Sequence, residues 1–295
     1  MTKQVNKQLV FVHGNGPKPP ALELLTLWQD ALVAGMRRDF PKKADRLAEV
    51  PAEMIYFAPD QDDYDVALDL ENRHQALESL SALKDSKDFR RRFYDSLPGK
   101  TAAREFVMDA GASLGLGGVL MRRKLPQLFE YLEGADWGVT ARESLQDTLA
   151  AALEDNTDVL VLGHCMGSVI AYDALWHLNR TLGNNSRISA FVSFGSPLAD
   201  NAVQNYLAGA KEKGAQRYPN NISNWYNISA EDDFVCHDKT VADDFRYMRE
   251  QHMLNNIEDF TVYNLALRYG VSNPHSSVGY LIHPRVTRIV KDWLD

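Results

Sequence analysis

Short apolar runs and longer amphipathic stretches alternate along the chain. Six runs rich in β-branched and aromatic residues predict buried strands at residues 8–14, 52–58, 158–163, 188–197, 222–233 and 260–267. Between several of them, apolar residues recur at helical spacing, as in residues 21–38 and in the closing stretch 284–294. Strands that alternate with helices indicate an α/β fold with a mostly parallel central sheet of about six strands flanked by helices.

One connection is longer than this fold needs. A crossover between parallel strands takes a single helix, yet residues 65–135 hold room for several helices and no strong strand. We therefore expect an inserted helical cap, or lid, over 65–135 and an α/β core formed by 1–64 and 136–295. The total of 295 residues fits one large α/β domain or two of average size.

Charge and cysteine content narrow the class of protein. The net charge of −8 and the lack of a basic stripe argue against a nucleic-acid partner. The two cysteines, Cys165 and Cys236, form neither a disulfide framework nor a zinc pattern. The N-terminal apolar run is too short for a signal peptide, and no run reaches the ~20 apolar residues of a membrane span. We expect cytoplasmic localisation without stable membrane insertion, and the oligomeric state stays open.

The sequence GHCMG, residues 163–167, carries the main chemical signal. It follows a strong strand and precedes a helical pattern, which is the context of the G-x-S-x-G nucleophile elbow, here with cysteine in place of serine. Gly163 and Gly167 keep side chains out of the tight turn, and the helix N-terminus favours negative charge at Cys165. The alternative is a buried structural cysteine in a strand-to-helix turn.

A nucleophile of this type needs an acid and then a histidine later in the chain. Asp233 is the favoured acid because the apolar residues that follow can anchor its loop, and Asp232 is the alternative. Of the eight histidines, His275 comes soon after the last predicted strand and is the favoured base. His283 begins the final helix, which suggests a cap or a surface residue.

An oxyanion hole needs two backbone N–H groups. The residue after the nucleophile, Met166, is expected to supply one, and Asn15 in the loop after the first strand the other. Gly14 in that loop allows close approach of the backbone. Taken alone, the HGNGP segment could be a simple turn.

The segments VHGNG (12–16), GHCMGSVIAYDAL (163–175), FGSPLA (194–199), SAEDDFV (229–235) and PHSSVGYL (274–281) together resemble the α/β-hydrolase superfamily. They occur in the expected order and span nearly the whole chain except the cap. The resemblance implies a Ser-His-Asp-type site and acyl-transfer chemistry, as in esterases and lipases. Cys165 departs from the usual serine, although cysteine at this place is similar to that of dienelactone hydrolases, polyhydroxyalkanoate synthases and some acyltransferases.

The expected function is hydrolysis of a carboxylic ester or thioester, a small molecule with an apolar portion, through an acyl-Cys165 intermediate.

 

In this mechanism His275 takes the proton of Cys165, Asp233 orients the imidazole, and water or an acceptor releases the acyl group. A thioester intermediate is also attacked by amines, thiols and alcohols, so an acyltransferase or synthase is the alternative. Two further alternatives are a non-catalytic hydrolase-like binding protein and a serine esterase whose nucleophile has been exchanged for cysteine. We expect no cofactor, and the sequence has no set of metal ligands or nucleotide fingerprint.

Two segments of the expected cap have alternative interpretations. The apolar, glycine-rich residues 108–121 could form a mobile lid or acyl-chain channel, although a buried turn between helices is slightly favoured. The basic run 87–94 could contact an acidic headgroup or a cofactor phosphate, but such runs are more often solvated helix faces.

Overall fold

The computed structural model describes residues 6–60, 62–96 and 117–295. Its centre is a six-stranded sheet in the order β2-β1-β3-β4-β5-β6, in which all neighbouring strands are parallel. The strands are β1 Lys7–Val12, β2 Ala52–Ile55, β3 Asp158–His164, β4 Ile188–Phe194, β5 Ile222–Ala230 and β6 Asn256–Val262. This sheet, flanked by helices, confirms the α/β fold predicted from the sequence.

Twelve α-helices occur among the described residues. The first six are α1 Ala21–Asp39, α2 Pro41–Ala48, α3 Val66–Ser81, α4 Ser86–Ser96, α5 Gly117–Lys124 and α6 Pro126–Leu132. The others are α7 Asp136–Glu154, α8 Met166–Arg180, α9 Asn201–Gln204, α10 Arg246–Glu250, α11 Ser277–Leu281 and α12 Pro284–Leu294. A short 3₁₀ helix covers Gly214–Arg217.

The sheet is buried on both faces, as its continuous apolar strands predict. In β1, Val10 and Val12 belong to one apolar cluster, with α7 and α8. Leu9 and Phe11 point to the other face and join a second cluster with α1 and α12. Because successive side chains of a strand alternate between faces, each strand contributes to both layers of the core.

The strand order reverses between β1 and β3, which places a topological switch point there. Val12 of β1 is in register with Gly163 of β3, so the loops after these two strands leave the sheet side by side. Ligands of open parallel sheets bind outside the carboxyl ends of the strands at such a point. The loop after β1 and the turn after β3 are the two segments that the sequence predicts to carry an oxyanion hole and a nucleophile.

The last strand differs from its prediction. The sheet strand is Asn256–Val262 rather than 260–267. Leu267–Arg268 (β7) instead pairs antiparallel with Val271–Ser272 (β8) in a separate hairpin. The difference arises because β6 is an edge strand with polar residues, so its first half lacks the apolar pattern of a buried strand.

Helices α3 to α6 fall within the expected cap, residues 65–135, whose separation from the core stays a prediction. One side of α3 and α4 packs on Ala266 and Ile282 in a small third cluster. The arginines of the basic run 87–94 are exposed on α4. Residues 108–116 of the glycine-rich segment lie outside the described residues. Among the helices that are described, none has the length and apolar character needed to cross a membrane.

Candidate active site

Cys165 occupies the turn between β3 and α8 in an uncommon backbone conformation. Its φ is 54° and its ψ is −126°, a region that non-glycine residues rarely adopt. Its N–H donates to the carbonyl of Phe194 at the end of β4, 3.0 Å away. Cys165 is 1% exposed and immediately precedes the fifteen-residue helix α8, whose N-terminus favours negative charge.

Two glycines allow this turn to approach its neighbours closely. A Cβ atom at Gly167 would lie 2.3 Å from the carbonyl oxygens of both Val12 and His13. A Cβ at Gly163 would lie 2.7 Å from Cα of Ser168. Both distances are sterically forbidden, so the sequence GHCMG lets the start of α8 press against the end of β1.

The loop after β1 reaches the same cysteine from the other side. Backbone N–H groups of Asn15 and Met166 both hydrogen-bond to the Cys165 thiol. These are the two donors that the sequence predicts for an oxyanion hole. Both donors therefore lie beside the same sulfur.

Lys18 and His13 stabilise the conformation of the loop after β1. The Lys18 ammonium donates to the carbonyl oxygens of Asn15 at 2.5 Å, Gly16 at 2.9 Å and Pro17 at 3.3 Å. His13 Nε2 accepts from the Phe57 N–H at 2.9 Å, while its Nδ1 lies 2.9 Å from the Gly14 carbonyl and donates to it. Burial and then the Lys18 charge lower the pKa of His13 to about 3, so this histidine is neutral.

His275 and Asp233 lie beside Cys165, although they are distant in sequence. His275 Nδ1 lies 2.7 Å from Asp233 Oδ2, and the His275 side chain also hydrogen-bonds to the Cys165 thiol. Asp233, the favoured acid of the sequence, is thus the carboxylate that contacts the imidazole. The Tyr280 hydroxyl donates to the same Oδ2 at 2.7 Å, and the Val235 N–H donates to Oδ1 at 3.0 Å.

These contacts shift the pKa values of all three groups. Burial alone would raise the pKa of the Cys165 thiol, but the His275 charge and the hydrogen bonds from His275, Asn15 and Met166 outweigh it and leave the pKa below its ordinary value. Burial opposes the charged form of His275, yet the charges of Asp233 and Cys165 hold its pKa well above its ordinary value. For Asp233, burial is likewise outweighed by His275, and its pKa is lowered. The arrangement favours a thiolate–imidazolium pair backed by a carboxylate.

Sequence reasoning missed three supporting residues. Tyr280 anchors Asp233, and its hydroxyl also accepts from the Ala230 N–H at 2.8 Å. His164 donates from Nε2 to the His275 carbonyl at 3.0 Å. Lys18 folds the loop after β1. The only signal for Tyr280 and His164 is their place within the motif segments, and a lysine in a turn-rich loop carries no signal of burial.

His283, the other candidate base, has a structural role. It caps α12, where its Nδ1 accepts from the Arg285 N–H at 3.1 Å. Burial, with the nearby charges of Arg38 and Arg285, lowers its pKa to about 3. No cluster of three or more His, Cys, Asp or Glu side chains suited to a metal ion occurs within residues 6–60, 62–96 and 117–295.

Comparison with known proteins adds no assignment. No protein-family model matches the chain, and neither a curated protein nor a solved structure matches it significantly.

Proposed function

We propose that this chain is an acyl-transfer enzyme of the α/β-hydrolase type that hydrolyses a carboxylic ester or thioester through an acyl-Cys165 intermediate. The observation that carries the proposal is the set of contacts on one sulfur. The Cys165 thiol, in a turn with positive φ, meets His275 and the backbone N–H groups of Asn15 and Met166. His275 in turn meets Asp233 at 2.7 Å.

Each group has a defined part in the reaction. The Cys165 thiolate attacks the acyl carbonyl, forming a carbon–sulfur bond, and the N–H groups of Asn15 and Met166 stabilise the oxyanion. When the intermediate collapses, the bond to the leaving group breaks and the His275 imidazolium supplies that group with a proton. His275, oriented by Asp233, then takes a proton from water, which attacks the thioester and releases the carboxylic acid and the thiolate.

Transfer of the acyl group to an acceptor other than water is the second candidate function. It is favoured by the cysteine nucleophile, which forms a thioester intermediate. A thioester at Cys165 is open to attack by amines, thiols and alcohols in the same geometry. A purely binding role has less support, because it does not require the chain of contacts from Cys165 through His275 to Asp233.

Turnover of a panel of activated acyl esters and thioesters tests the proposal. We expect Cys165→Ala to lower kcat/KM at least about a thousandfold, since nucleophile removal abolishes covalent catalysis. Asp30→Asn, at an exposed position of α1, serves as the control and should keep wild-type turnover. Release of free acid identifies the hydrolase, whereas turnover that depends on an added amine, thiol or alcohol identifies the transferase. Wild-type turnover by Cys165→Ala contradicts both.

A further inference from the structure

A group of charged side chains lies beside the loop after β1. It consists of Lys18, Asp69 and Arg73 of α3, and Arg268 of β7, and we call it the cationic cluster. The Asp69 carboxylate is 1% exposed and is its only acid. Arg73 Nε donates to Asp69 Oδ2 at 2.6 Å, and Arg268 Nη2 donates to Oδ1 at 2.9 Å.

The cluster holds more positive charge than Asp69 can balance. Tyr64 also donates to Asp69, at 2.6 Å, so the carboxylate is fully engaged, and the Arg73 charge keeps its pKa below the ordinary value despite burial. Lys18 donates only to neutral carbonyl oxygens and forms no ion pair within the described part of the chain. Two arginines therefore share one carboxylate, which leaves a net positive charge before Lys18 is counted.

This excess charge acts on the active site. Burial and the His275 charge, and after them the charges of Lys18 and Arg73, lower the pKa of His164, the residue before the nucleophile. Burial and the charge of Arg73 lower the pKa of Lys18 to about 7, whereas the charge of Cys165 acts in the opposite direction. Lys18 also donates to the Asn15 carbonyl at 2.5 Å, so the cluster adjoins the loop that carries a proposed oxyanion donor.

We propose that the cationic cluster binds an anionic group, a carboxylate or phosphate, on the acyl donor. Among the described residues, Arg73 and Arg268 each use one nitrogen on Asp69, which leaves their remaining N–H groups for an oxyanion. The Arg268 side chain is 45% exposed, so the cluster can be reached from solvent. The proposal rests on the function proposed for Cys165 and specifies its substrate class.

Matched thioesters test this selectivity. S-butyryl pantetheine is the neutral donor, S-succinyl pantetheine places a carboxylate on the acyl group, and S-butyryl phosphopantetheine places a phosphate on the leaving group. We expect the wild-type kcat/KM for one anionic donor to exceed that for the neutral donor by at least about tenfold, as for a charge-assisted hydrogen bond. The donor that gains identifies which anion is bound.

The ratio of kcat/KM for the preferred anionic donor to that for the neutral donor should fall to within about twofold in Arg73→Gln and in Arg268→Gln. Each substitution removes a charged hydrogen-bond donor. Arg268→Gln is the second variant in case Arg73→Gln does not fold. Arg37→Gln, an exposed arginine of α1, should keep the wild-type ratio. Equal or lower kcat/KM for both anionic donors in the wild type, or a preference that persists in both arginine variants, overturns the proposal.

A reagent pair separates this proposal from the proposed function. Iodoacetate and iodoacetamide alkylate the same thiolate but differ in charge, and their rates at Cys165 are normalised to those of free cysteine. Faster relative reaction of iodoacetate in the wild type, lost in Arg73→Gln, supports the cationic cluster even if no thioester is turned over. Turnover without any charge preference in either assay supports the enzyme and rejects the cluster as a binding site.

Discussion

The two cysteines show how neighbouring groups decide the chemistry of a residue. Both Cys165 and Cys236 are buried to 1% exposure. Burial and the charge of Asp233 raise the pKa of Cys236 well above its ordinary value. The pKa of Cys165 is lowered instead, because His275 and two backbone N–H groups outweigh burial. We therefore expect the same side chain to be inert at position 236 and reactive at position 165.

Alkylation at the level of single residues tests this difference. The rate at which iodoacetamide alkylates Cys165 should reach half its maximum at a pH below the pKa of a free thiol, ~8.5. In His275→Asn the cation is lost while burial remains, so the midpoint should rise and the rate at neutral pH should fall at least about tenfold. Peptide mass mapping over a pH series measures both.

Cys236 is the internal control and should react only after unfolding. Equal modification of the two cysteines in the folded protein, or an unchanged midpoint in His275→Asn, would show that the imidazole does not activate the thiol.

The sequence allowed some of these residues to be proposed in advance. Cys165, His275 and Asp233 follow predicted strands in the order of a known motif, and the structure brings them together. The contact of Arg268 with Asp69 joins positions 199 residues apart. No local pattern encodes such a pair, which is why the cationic cluster could not be predicted.

At the level of elements, the site depends on how closely α8 approaches β1. Gly167 makes that approach possible, since its Cβ would collide with backbone atoms that cannot move aside. The strands around the switch point were predictable because they are continuous apolar runs. Strand β6 was not, because Asp259 points to the Val241 and Ala242 N–H groups and interrupts the apolar pattern.

Gly167→Ala should push the start of α8 away from the end of β1. We expect the free energy of unfolding to fall by at least about 2 kcal/mol, as for overpacking, and the folded fraction to lose rapid alkylation of Cys165. Gly183→Ala is the comparison, because Gly183 has a φ of 72° and open space around it. In Gly183→Ala, backbone strain alone should lower the free energy of unfolding by about 1 kcal/mol and leave the alkylation of Cys165 unchanged.

Urea unfolding and iodoacetamide kinetics measure the two effects. If Gly167→Ala is no less stable than Gly183→Ala and alkylates normally, the close approach of α8 to β1 has no role in forming the site.

For the whole molecule, a buried carboxylate connects three distant segments. Asp173 of α8 accepts from the Tyr131 hydroxyl of α6 and from the Ala208 N–H, both at 2.8 Å. Burial raises its pKa to about 6, although these two hydrogen bonds act in the opposite direction. The packing of helices around β3 thus contains a group that titrates near neutral pH.

The sign of its effect on stability follows from the two pKa values. The pKa in the folded state, about 6, lies above the ~3.9 of an unfolded chain. The stabilisation from binding this proton is therefore full below about pH 4 and is lost as the pH rises through 6. Two pKa units correspond to about 3 kcal/mol.

Asp173→Asn should remove this contribution. Between pH 4 and 7, the free energy of unfolding of the wild type should fall relative to that of the variant by up to about 3 kcal/mol. Urea unfolding at several pH values measures the difference, with Asp30→Asn on exposed α1 as control. Parallel pH profiles for wild type and Asp173→Asn would contradict a raised pKa at Asp173.

The most direct test of the central claim is the mass of the protein after brief reaction with an activated acyl donor, followed by peptide mapping. The proposed mechanism predicts a gain of one acyl group on the peptide that contains Cys165, absent from Cys165→Ala and slowed in His275→Asn. An adduct on another residue, or donor turnover by Cys165→Ala at the wild-type rate, would contradict it.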